Sequence, residues 1–293
     1  GGGIFHDRGA SRGGPEGGAA RRRWADPFSR PALVDLDVST VCQLRCPSCP
    51  TARGVIADQL GAGFMTASRF EEFLRRHPWV SCIELSNWGE IFLNPEIERI
   101  FRCAYRRNVA LRADNGVNLS RVRESALEAL VRYRVRGITC SIDGATQETY
   151  GQYRVGGNLD QVLANIRRIN AHKKAFRTRY PRLRWQFIAF GHNEHEIAAA
   201  RSMAADLGMT FYVKLAWDDL YGKPFSPVKD RGLVSRESGL RVADRREFVE
   251  KTRQDYVGLA CHQLWLMPHI NQDGRVLGCS INHWGDYGNA FES

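Results

Sequence analysis

A chain of 293 residues, with 43% hydrophobic and 25% charged residues, is long enough to bury one large core, which excludes a small fold held together by disulfides. No apolar run approaches the roughly 20 residues that span a bilayer, and the first residues are not apolar, so we expect a cytoplasmic protein without a membrane partner or a secretory signal. The net charge of +10 comes mostly from arginine. Because no basic motif is interleaved with aromatic residues, we interpret it as a solvated surface and do not expect a nucleic-acid partner.

Composition shifts divide the chain into four predicted parts. Residues 1–30 are rich in glycine and arginine and are predicted to form a disordered tail. Residues 31–215 carry the regular patterns of a barrel domain. Residues 216–258 are rich in charged residues and proline, which is typical of a connector, and residues 259–293 form a short turn-rich segment.

Six strand patterns alternate with helix patterns along the barrel domain. The strands are predicted at 33–38, 83–85, 109–112, 138–142, 185–188 and 211–213. Polar residues before the helical stretches are predicted to be N-caps: Ser68, Asn94, Asn158 and Asn193. Six βα units in series predict an α/β fold whose parallel sheet curls into a partial (βα)6 TIM-like barrel.

Three cysteines follow the first predicted strand at C-x3-C-x2-C spacing: Cys42, Cys46 and Cys49. Thiolates this close together can hold three corners of one iron–sulfur cluster and leave the fourth corner open to a small molecule. Two alternatives remain open from the spacing alone. One is a zinc site with a distant fourth ligand, and the other is a set of three reduced structural thiols.

Other polar residues also fall at the carboxyl ends of predicted strands, where parallel barrels gather their active sites. Residues 87–90 follow the second strand, Asn115 and Gly116 follow the third, and Ser141 ends the fourth. Several independent motifs thus converge on the rim that carries the cysteines.

The stretch at 42–50, CQLRCPSCP, resembles the cluster-binding motif of the radical S-adenosylmethionine superfamily. The resemblance implies a [4Fe-4S] cluster whose fourth iron is chelated by S-adenosylmethionine. It also implies reductive cleavage of that molecule to methionine and a 5′-deoxyadenosyl radical, which abstracts a substrate hydrogen. Many members have an aromatic residue before the third cysteine, and Ser48 departs from that pattern.

A second resemblance concerns Trp88-Gly89-Glu90, which is similar to the family's glycine-glycine-glutamate segment. That segment binds the amino group of S-adenosylmethionine. Trp88 replaces the first glycine, so only Gly89 and Glu90 carry over. A Gly-Glu pair alone is equally typical of a plain turn.

The stretch from Ser141 to Gly144, with Arg154 after it, resembles the fourth-strand region of members that carry a C-terminal SPASM extension. The resemblance implies that Ser141 and Arg154 contact the carboxylate or ribose of S-adenosylmethionine, and Asn115 is a similar candidate. The alternatives are a strand-capping serine, a surface arginine and a turn-forming Asn115. Phe187 and Ile188 on the fifth strand could pack on adenine, but core packing is the preferred interpretation.

Cys261, Gly274 and Cys279 resemble the opening pattern of SPASM or twitch segments. The resemblance implies an auxiliary [4Fe-4S] cluster with Cys261 and Cys279 among its ligands and further cysteines downstream. The sequence has none after Cys279, and the remaining cysteines, Cys82, Cys103 and Cys140, fall at positions that look like core. His262, His269 and His283 are expected to be ordinary hydrogen-bonded histidines.

Together these resemblances imply a radical S-adenosylmethionine enzyme that acts on a peptide or protein and receives electrons from a flavodoxin- or ferredoxin-type donor. A sugar, another small metabolite or RNA is an alternative substrate. A zinc-stabilised binding module is the alternative of another class, and a catalytically inactive fragment is a further one.

Overall fold

The computed structural model describes residues 30–217, 224–254, 256 and 263–292. The predicted disordered tail therefore lies outside the described residues except for Arg30. Cys261 and His262 lie outside them as well.

The described strands form one sheet in which every pairing is parallel. They are β1 (Leu33–Leu36), β2 (Cys82–Glu84), β3 (Ala110–Val117), β4 (Gly137–Ser141), β5 (Arg182–Ala189), β6 (Thr210–Leu215) and β7 (His269–Ile270). Their order across the sheet is β6-β5-β4-β3-β2-β1-β7. The predicted α/β partial barrel is confirmed, and β7, which the sequence did not predict, pairs with β1.

Helices connect the strands. They are α1 (Val55–Leu60), α2 (Ala67–Arg76), α3 (Ile97–Arg106), α4 (Glu124–Arg132), α5 (Gln147–Tyr153), α6 (Leu159–Ala175), α7 (Ile197–Asp206), α8 (Arg231–Glu237), α9 (Arg245–Thr252) and α10 (Gln263–Leu266). Short 3-10 segments lie at Ile91–Leu93 and Glu194–Glu196. The segment predicted to be an irregular connector, residues 216–258, contains two helices, α8 and α9.

The side chains of β1 divide between two environments because they alternate across the strand. Val34, Leu36 and Val38 are buried in the main hydrophobic core, together with residues of α2 and α3. Asp35 and Asp37 are also buried, at 1% exposure each, and their opposite direction places them toward the interior of the barrel. Apolar packing therefore holds the outside of the sheet, and polar side chains fill part of its inside.

The third strand extends further than its sequence pattern predicted. It continues to Val117 with a register shift against β4 between Ala113 and Val117. Asn115 and Gly116 thus lie in an irregular strand end, and not in the turn that an Asn-Gly pair usually indicates. The shift brings these two residues to the edge of the barrel.

Of the four predicted caps, one is confirmed and one is replaced by a residue two positions earlier. The Asn158 side chain accepts a hydrogen bond from the Gln161 N–H at 2.8 Å, which confirms it as the cap of α6. The cap of α2 is Thr66, whose hydroxyl accepts from the Arg69 N–H at 3.2 Å, so the prediction of Ser68 was wrong.

The other two predicted residues are not the N-caps of α3 and α7, although Asn193 is the N-cap of the 3-10 segment before α7, and tertiary contacts recruit their amide N–H groups. The Asn94 amide donates to the carbonyl oxygens of Val38 and Met65, at 2.8 and 2.9 Å. The Asn193 amide donates in the same way to the carbonyl oxygens of Asp143 and Ile188. Glu96 and Glu196 occupy the N-cap positions of α3 and α7. Both asparagines are fully buried, and their amide N–H groups satisfy backbone carbonyls outside the helices. Asn94 Oδ1 also accepts from the Glu96 N–H at 2.8 Å, at the start of α3.

Candidate active site

A cavity at the carboxyl ends of the strands, named here the rim cavity, brings together all the residues predicted for the cluster and for S-adenosylmethionine. Its lining includes Cys42, Cys46, Cys49, Gly89, Glu90, Asn115, Ser141 and Arg154. These side chains come from the ends of several strands and the loops after them, which is where parallel barrels assemble sites.

The cysteine loop is anchored by the apolar residue between its first two cysteines. Leu44 is 2% exposed and packs in a small core with Cys46, Tyr153, Ile188 and Phe190. The loop is also tied to the segment after α5, because the Arg45 N–H donates to the Val155 carbonyl oxygen at 2.9 Å. Cys46 is consequently buried, whereas Cys42 and Cys49 are half-buried beside the cavity.

Arg154 connects the cysteine loop to the fourth strand. Its Nε donates to Asp143 Oδ2 at 2.6 Å, and its Nη1 lies 3.8 Å from Cys46 Sγ. Its side chain is only 13% exposed, so it is not the surface arginine considered as an alternative. Asp143 is held in turn by the Ile188 N–H, which donates to its Oδ1 at 2.7 Å.

Burial and charge act in opposite directions on this group. Burial raises the pKa of the Cys46 thiol to about 11, and the nearby Arg154 guanidinium opposes that shift. Burial also raises the pKa of the Cys42 thiol to about 12. Although burial alone would lower the pKa of Arg154, the Asp143 carboxylate and the Cys46 thiol hold it well above its ordinary value. Arg154 therefore supplies a fixed positive charge beside a buried thiol.

Gly89 is required by a close backbone approach. A Cβ at this position would lie 2.2 Å from the Ser39 carbonyl oxygen, which no side chain can tolerate. Glu90 follows it and is 3% exposed, with Oε2 accepting from the Asn118 N–H at 2.7 Å and Oε1 from the Phe92 N–H at 3.1 Å. Burial raises the pKa of Glu90 to about 7, against the effect of these two donors.

Ser141 belongs to a row of polar side chains that crosses three strands. Gln186 Nε2 donates to Ser141 Oγ at 3.4 Å, and the Tyr212 hydroxyl donates to Gln186 Oε1 at 2.7 Å. Gly116, at φ +133°, faces the serine, and a Cβ there would lie 2.3 Å from Ser141 Oγ. Glycine at position 116 thus leaves the room that the serine hydroxyl occupies.

Asn118 and Lys214 are among the cavity residues that sequence reasoning missed. Asn118 donates from Nδ2 toward Cys42 Sγ at 3.9 Å, and its Oδ1 accepts from Gln43 Nε2 at 2.8 Å. Lys214 lines the cavity from β6, and burial lowers its pKa to about 8. Asn118 carried a weak signal as a second amide just after Asn115 at a strand end. Lys214 carried none, because one lysine in a strand pattern is ordinary.

The two residues considered for adenine packing separate in the structure. Phe187 is fully buried in the main core, as expected. Ile188 packs in the small core below the cysteine loop, and it also lines the rim cavity.

No group of three or more His, Cys, Asp or Glu side chains in the described parts of the chain is arranged to hold a single metal ion. A zinc site needs its ligands to converge on one position, at about 2.3 Å for each sulfur. The thiolates of a four-iron cluster bind different irons and so do not converge.

Comparison with known proteins supports the same reading of the fold. No family model matches the sequence. An AdoMet-dependent heme synthase from Methanosarcina barkeri (strain Fusaro / DSM 804) is 27% identical over 138 residues, which cover 46% of this chain and 38% of that protein. The chain thus matches less than half the length of this curated relative.

Among solved structures, Streptococcus suis SuiB bound to S-adenosylmethionine aligns with a TM-score of 0.66 and 15% identity, covering 90% of this chain and 64% of SuiB. Native anSMEcpe with bound AdoMet aligns with a TM-score of 0.62 and 14% identity, covering 89% and 78%. The chain shares the fold of these two proteins, both solved with S-adenosylmethionine bound.

In this fold the described part of the predicted auxiliary segment packs against Asn87 and Trp88, two residues of the rim cavity lining. Cys279 is half-buried and is not part of the cavity lining, and Cys261 lies outside the described residues. The pairing expected of the two cysteines therefore stays a prediction. Cys140 is fully buried as expected, whereas Cys82 and Cys103 are only partly buried.

The two described histidines of this segment are hydrogen-bonded. His269 is fully buried, with Nε2 2.6 Å from Asp37 Oδ2, and His283 Nδ1 contacts Gln59 Oε1. Within the described residues, no helix combines the length and apolar character needed to cross a membrane.

Proposed function

We propose that this protein is a radical S-adenosylmethionine enzyme that cleaves S-adenosylmethionine reductively and abstracts hydrogen from a peptide or protein. The observation that carries the proposal is the convergence of three cysteines and five predicted cofactor residues on one cavity of a fold shared with S-adenosylmethionine-binding proteins. Cys42, Cys46 and Cys49 would hold a [4Fe-4S] cluster, and with S-adenosylmethionine it would supply the one-electron chemistry that yields the hydrogen-abstracting radical.

The three thiols fit such a cluster in number, placement and surroundings. Cys42, Cys46 and Cys49 would hold three irons, and each must lose its proton to do so. Burial alone opposes that loss at Cys46, and the fixed charge of Arg154 at 3.8 Å from its sulfur favours it. Asn118 directs an amide N–H toward Cys42 Sγ, which would likewise stabilise the thiolate form of Cys42.

The other side chains suit the polar ends of S-adenosylmethionine. Glu90 presents a carboxylate fixed by two backbone donors, which is a partner for the amino group. Ser141 and Arg154 would contact the carboxylate or the ribose, and Asn115 offers a further amide at the strand end. The methionyl end carries a cationic amino group and an anionic carboxylate. A site with an acidic side chain and a basic side chain at separate positions can bind both groups.

Lys214 adds a cation on the opposite wall. Among the described residues it has no hydrogen bond and no carboxylate within ion-pair distance, although it lines the same cavity. Lys214 is partly buried and burial lowers its pKa, so an anionic ligand group at that position would stabilise its charged form. We infer that Lys214 binds a carboxylate, either of the cofactor or of the substrate.

Apolar side chains limit the access of water to the reacting atoms. Tyr153, Ile188 and Trp217 line the cavity beside the cysteine loop, and Tyr153 and Ile188 are 2% and 3% exposed. A radical that reacts with solvent or with a side chain is quenched before it reaches the substrate. Apolar side chains that exclude water from the cavity therefore favour the reaction with the substrate.

A peptide substrate is supported by one structural neighbour. SuiB bound to its precursor peptide SuiA aligns with this chain with a TM-score of 0.64 at 14% identity, covering 90% of this chain and 63% of SuiB. We propose in addition a cytoplasmic protein with a flavodoxin- or ferredoxin-type electron donor. An auxiliary [4Fe-4S] cluster at Cys261 and Cys279 also remains part of this proposal, as does the division at 31–215, 216–258 and 259–293.

Anaerobic reconstitution tests the proposal directly. The protein is loaded with iron and sulfide, analysed for iron, sulfide and zinc, and incubated with S-adenosylmethionine and dithionite. We expect four irons and four sulfides per cluster, and we expect 5′-deoxyadenosine in the product mixture. Colourless protein with stoichiometric zinc and no sulfide would instead establish the zinc-binding alternative.

The substrate class requires a separate measurement. Short synthetic peptides and simple sugars are added to the active protein in deuterated form, and deuterium transfer into 5′-deoxyadenosine is followed by mass spectrometry. Transfer from a peptide supports the peptide assignment. Transfer from sugars alone would overturn it while leaving the enzyme class intact.

A further inference from the structure

A second cavity lies at the amino ends of β2 to β6, at the opposite end of the strands from the rim cavity. We name it the basal cavity, and its volume is about 850 Å³. Its basic lining residues are Arg112, Arg136, Lys173, Arg179, Arg182 and Arg184, and the lining contains one carboxylate, that of Asp114. Cationic side chains from three strand starts and one helix end thus surround a single concave space.

Most of this positive charge is not neutralised. Asp114 forms ion pairs with both Arg112 and Arg184. Arg136, Arg179, Arg182 and Lys173 have no carboxylate within ion-pair distance in the described part of the chain. Elsewhere, surface arginines such as Arg76 and Arg231 contact glutamate or aspartate side chains at 2.9 and 2.7 Å. Other described arginines, such as Arg102 and Arg121, also have no ion pair, so what distinguishes the basal cavity is that four such cations line one concave space.

Contacts with an aromatic ring hold two of the free cations in position. The guanidinium carbons of Arg136 and Arg179 lie 4.8 and 5.2 Å from the centre of the Tyr180 ring. Arg179 also donates to the Tyr180 hydroxyl at 3.2 Å. Each contact restricts a long side chain and so lowers the conformational entropy that ligand binding would have to remove.

Lys173 is fixed in a similar way on the last turn of α6. Its Nζ lies 3.4 Å from Asn170 Oδ1, and its side chain is partly buried at the edge of the cavity. The C-terminal end of a helix favours a cation there, so the lysine and the helix dipole support each other. An ammonium is thereby added to the arginines across the cavity.

We propose that the basal cavity binds a small molecule that carries two or more phosphate groups. Arginine presents parallel N–H donors that match phosphate oxygens, and a concave surface with one sign of charge concentrates counter-ions of the other sign. The volume lies within the range of small-molecule sites, which favours a compact ligand over a polymer. Binding here does not depend on the chemistry at the rim cavity.

Calorimetry with inorganic triphosphate tests this proposal on the full chain with its cluster loaded. We expect one molecule bound per chain, and affinity that falls steeply as salt is raised. The variant Arg136→Ala/Arg182→Ala should weaken binding by about tenfold or more for each arginine, since a charge-assisted hydrogen bond contributes about 1.5–3 kcal/mol.

A matched control separates a site from general attraction. Arg75→Ala/Arg121→Ala removes the same amount of charge from exposed positions outside the basal cavity lining, and it should change the affinity less than about twofold. Equal weakening by both double variants, or no measurable heat with triphosphate, would overturn the proposal. Tighter binding of citrate or of a single-stranded oligonucleotide than of triphosphate would also overturn it, because another anion class would then be the ligand.

A second measurement uses a cysteine that lines the same cavity. Cys82 is half-buried in the basal cavity, and alkylation of this thiol is followed by mass spectrometry of the digested protein. Triphosphate should slow alkylation of Cys82 and leave that of the half-buried Cys103 unchanged. Unchanged labelling of Cys82 at saturating triphosphate would place any bound ligand elsewhere.

Discussion

The two cavities lie at opposite ends of the same parallel strands, but their charged side chains are arranged differently. At the rim cavity Arg154 is buried and paired with Asp143 at 2.6 Å, and Glu90 is fixed by two backbone donors. At the basal cavity four cations have no carboxylate partner in the described residues. Balanced charges at fixed positions select a ligand by the arrangement of its groups, whereas an excess of one sign selects it by total charge.

The largest expected effect is the loss of a cluster ligand at the rim. Cys46→Ala should reduce 5′-deoxyadenosine formation by more than about 100-fold, because even residues behind metal ligands often contribute 10- to 100-fold. Iron content and product are measured after anaerobic reconstitution. Cys103→Ala, which removes a half-buried thiol of α3, is the matched control and should retain both. Full activity in Cys46→Ala would contradict the assignment of the cluster loop.

Replacing Arg154 tests whether its ion pair with Asp143 stabilises the fold. Arg154→Met leaves Asp143 fully buried without its cation, so we expect the free energy of unfolding to fall by about 3–5 kcal/mol. The comparison is Arg132→Met, whose exposed pair with Glu128 should contribute about 0–1 kcal/mol. Urea unfolding of the cluster-free variants gives both values. A similar small loss in each variant would mean that Arg154 and Asp143 are not coupled as described.

The acidic side chains on the inside of β1 give a third charge environment. Burial raises the pKa of Asp35 from 3.8 to about 7, although His269 lowers it, and neither carboxylate oxygen has a hydrogen-bond partner in the described residues. Asp37 and Glu84 also face it and raise its pKa further. Because the folded state binds this proton more tightly, the contribution of Asp35 to stability is greatest at low pH and is lost as pH rises from about 4 to about 7.

The variant Asp35→Asn should remove that pH dependence. Its stability relative to the parent should increase between pH 4 and pH 8, by at most about 4 kcal/mol, as measured by urea unfolding across that range. Asp58→Asn, at an exposed position on α1, should show no such increase. A constant difference across the pH range would show that Asp35 stays ionised in the folded chain.

The smallest effect concerns recognition at the rim. Glu90→Gln keeps the shape but loses the negative charge and one of the two backbone contacts, because an amide nitrogen cannot accept from an N–H, so affinity for S-adenosylmethionine should fall by about tenfold or more. Equilibrium dialysis with the reconstituted protein measures it, and Glu98→Gln on α3 is the control. An unchanged affinity would assign the amino group to another partner.

The sequence predicted what depends on neighbouring residues and strand order. Cys42, Cys46 and Cys49 were readable because they lie within one loop, and the strand ends located the rim from hydrophobic patterns alone. It missed what depends on distant contacts. Lys214 faces the cavity only because β6 lies where it does, and the amide of Asn193 reaches two distant carbonyls where its sequence context indicated a helix cap. The basal cavity was missed for the same reason, since its arginines were interpreted as scattered surface charge.

The pairing of β7 with β1 has a consequence for how the protein must be handled. Asp37 contacts His269, and Asn87 contacts the Ser280 carbonyl oxygen at 2.9 Å, so the segment from residue 263 onward shields the strand that leads to the cysteines. Without that shield, the unpaired backbone groups of β1 would be open to strands from other molecules. Shortened versions that end before this segment are therefore expected to self-associate, and their inactivity would be a symptom of aggregation, not of lost chemistry.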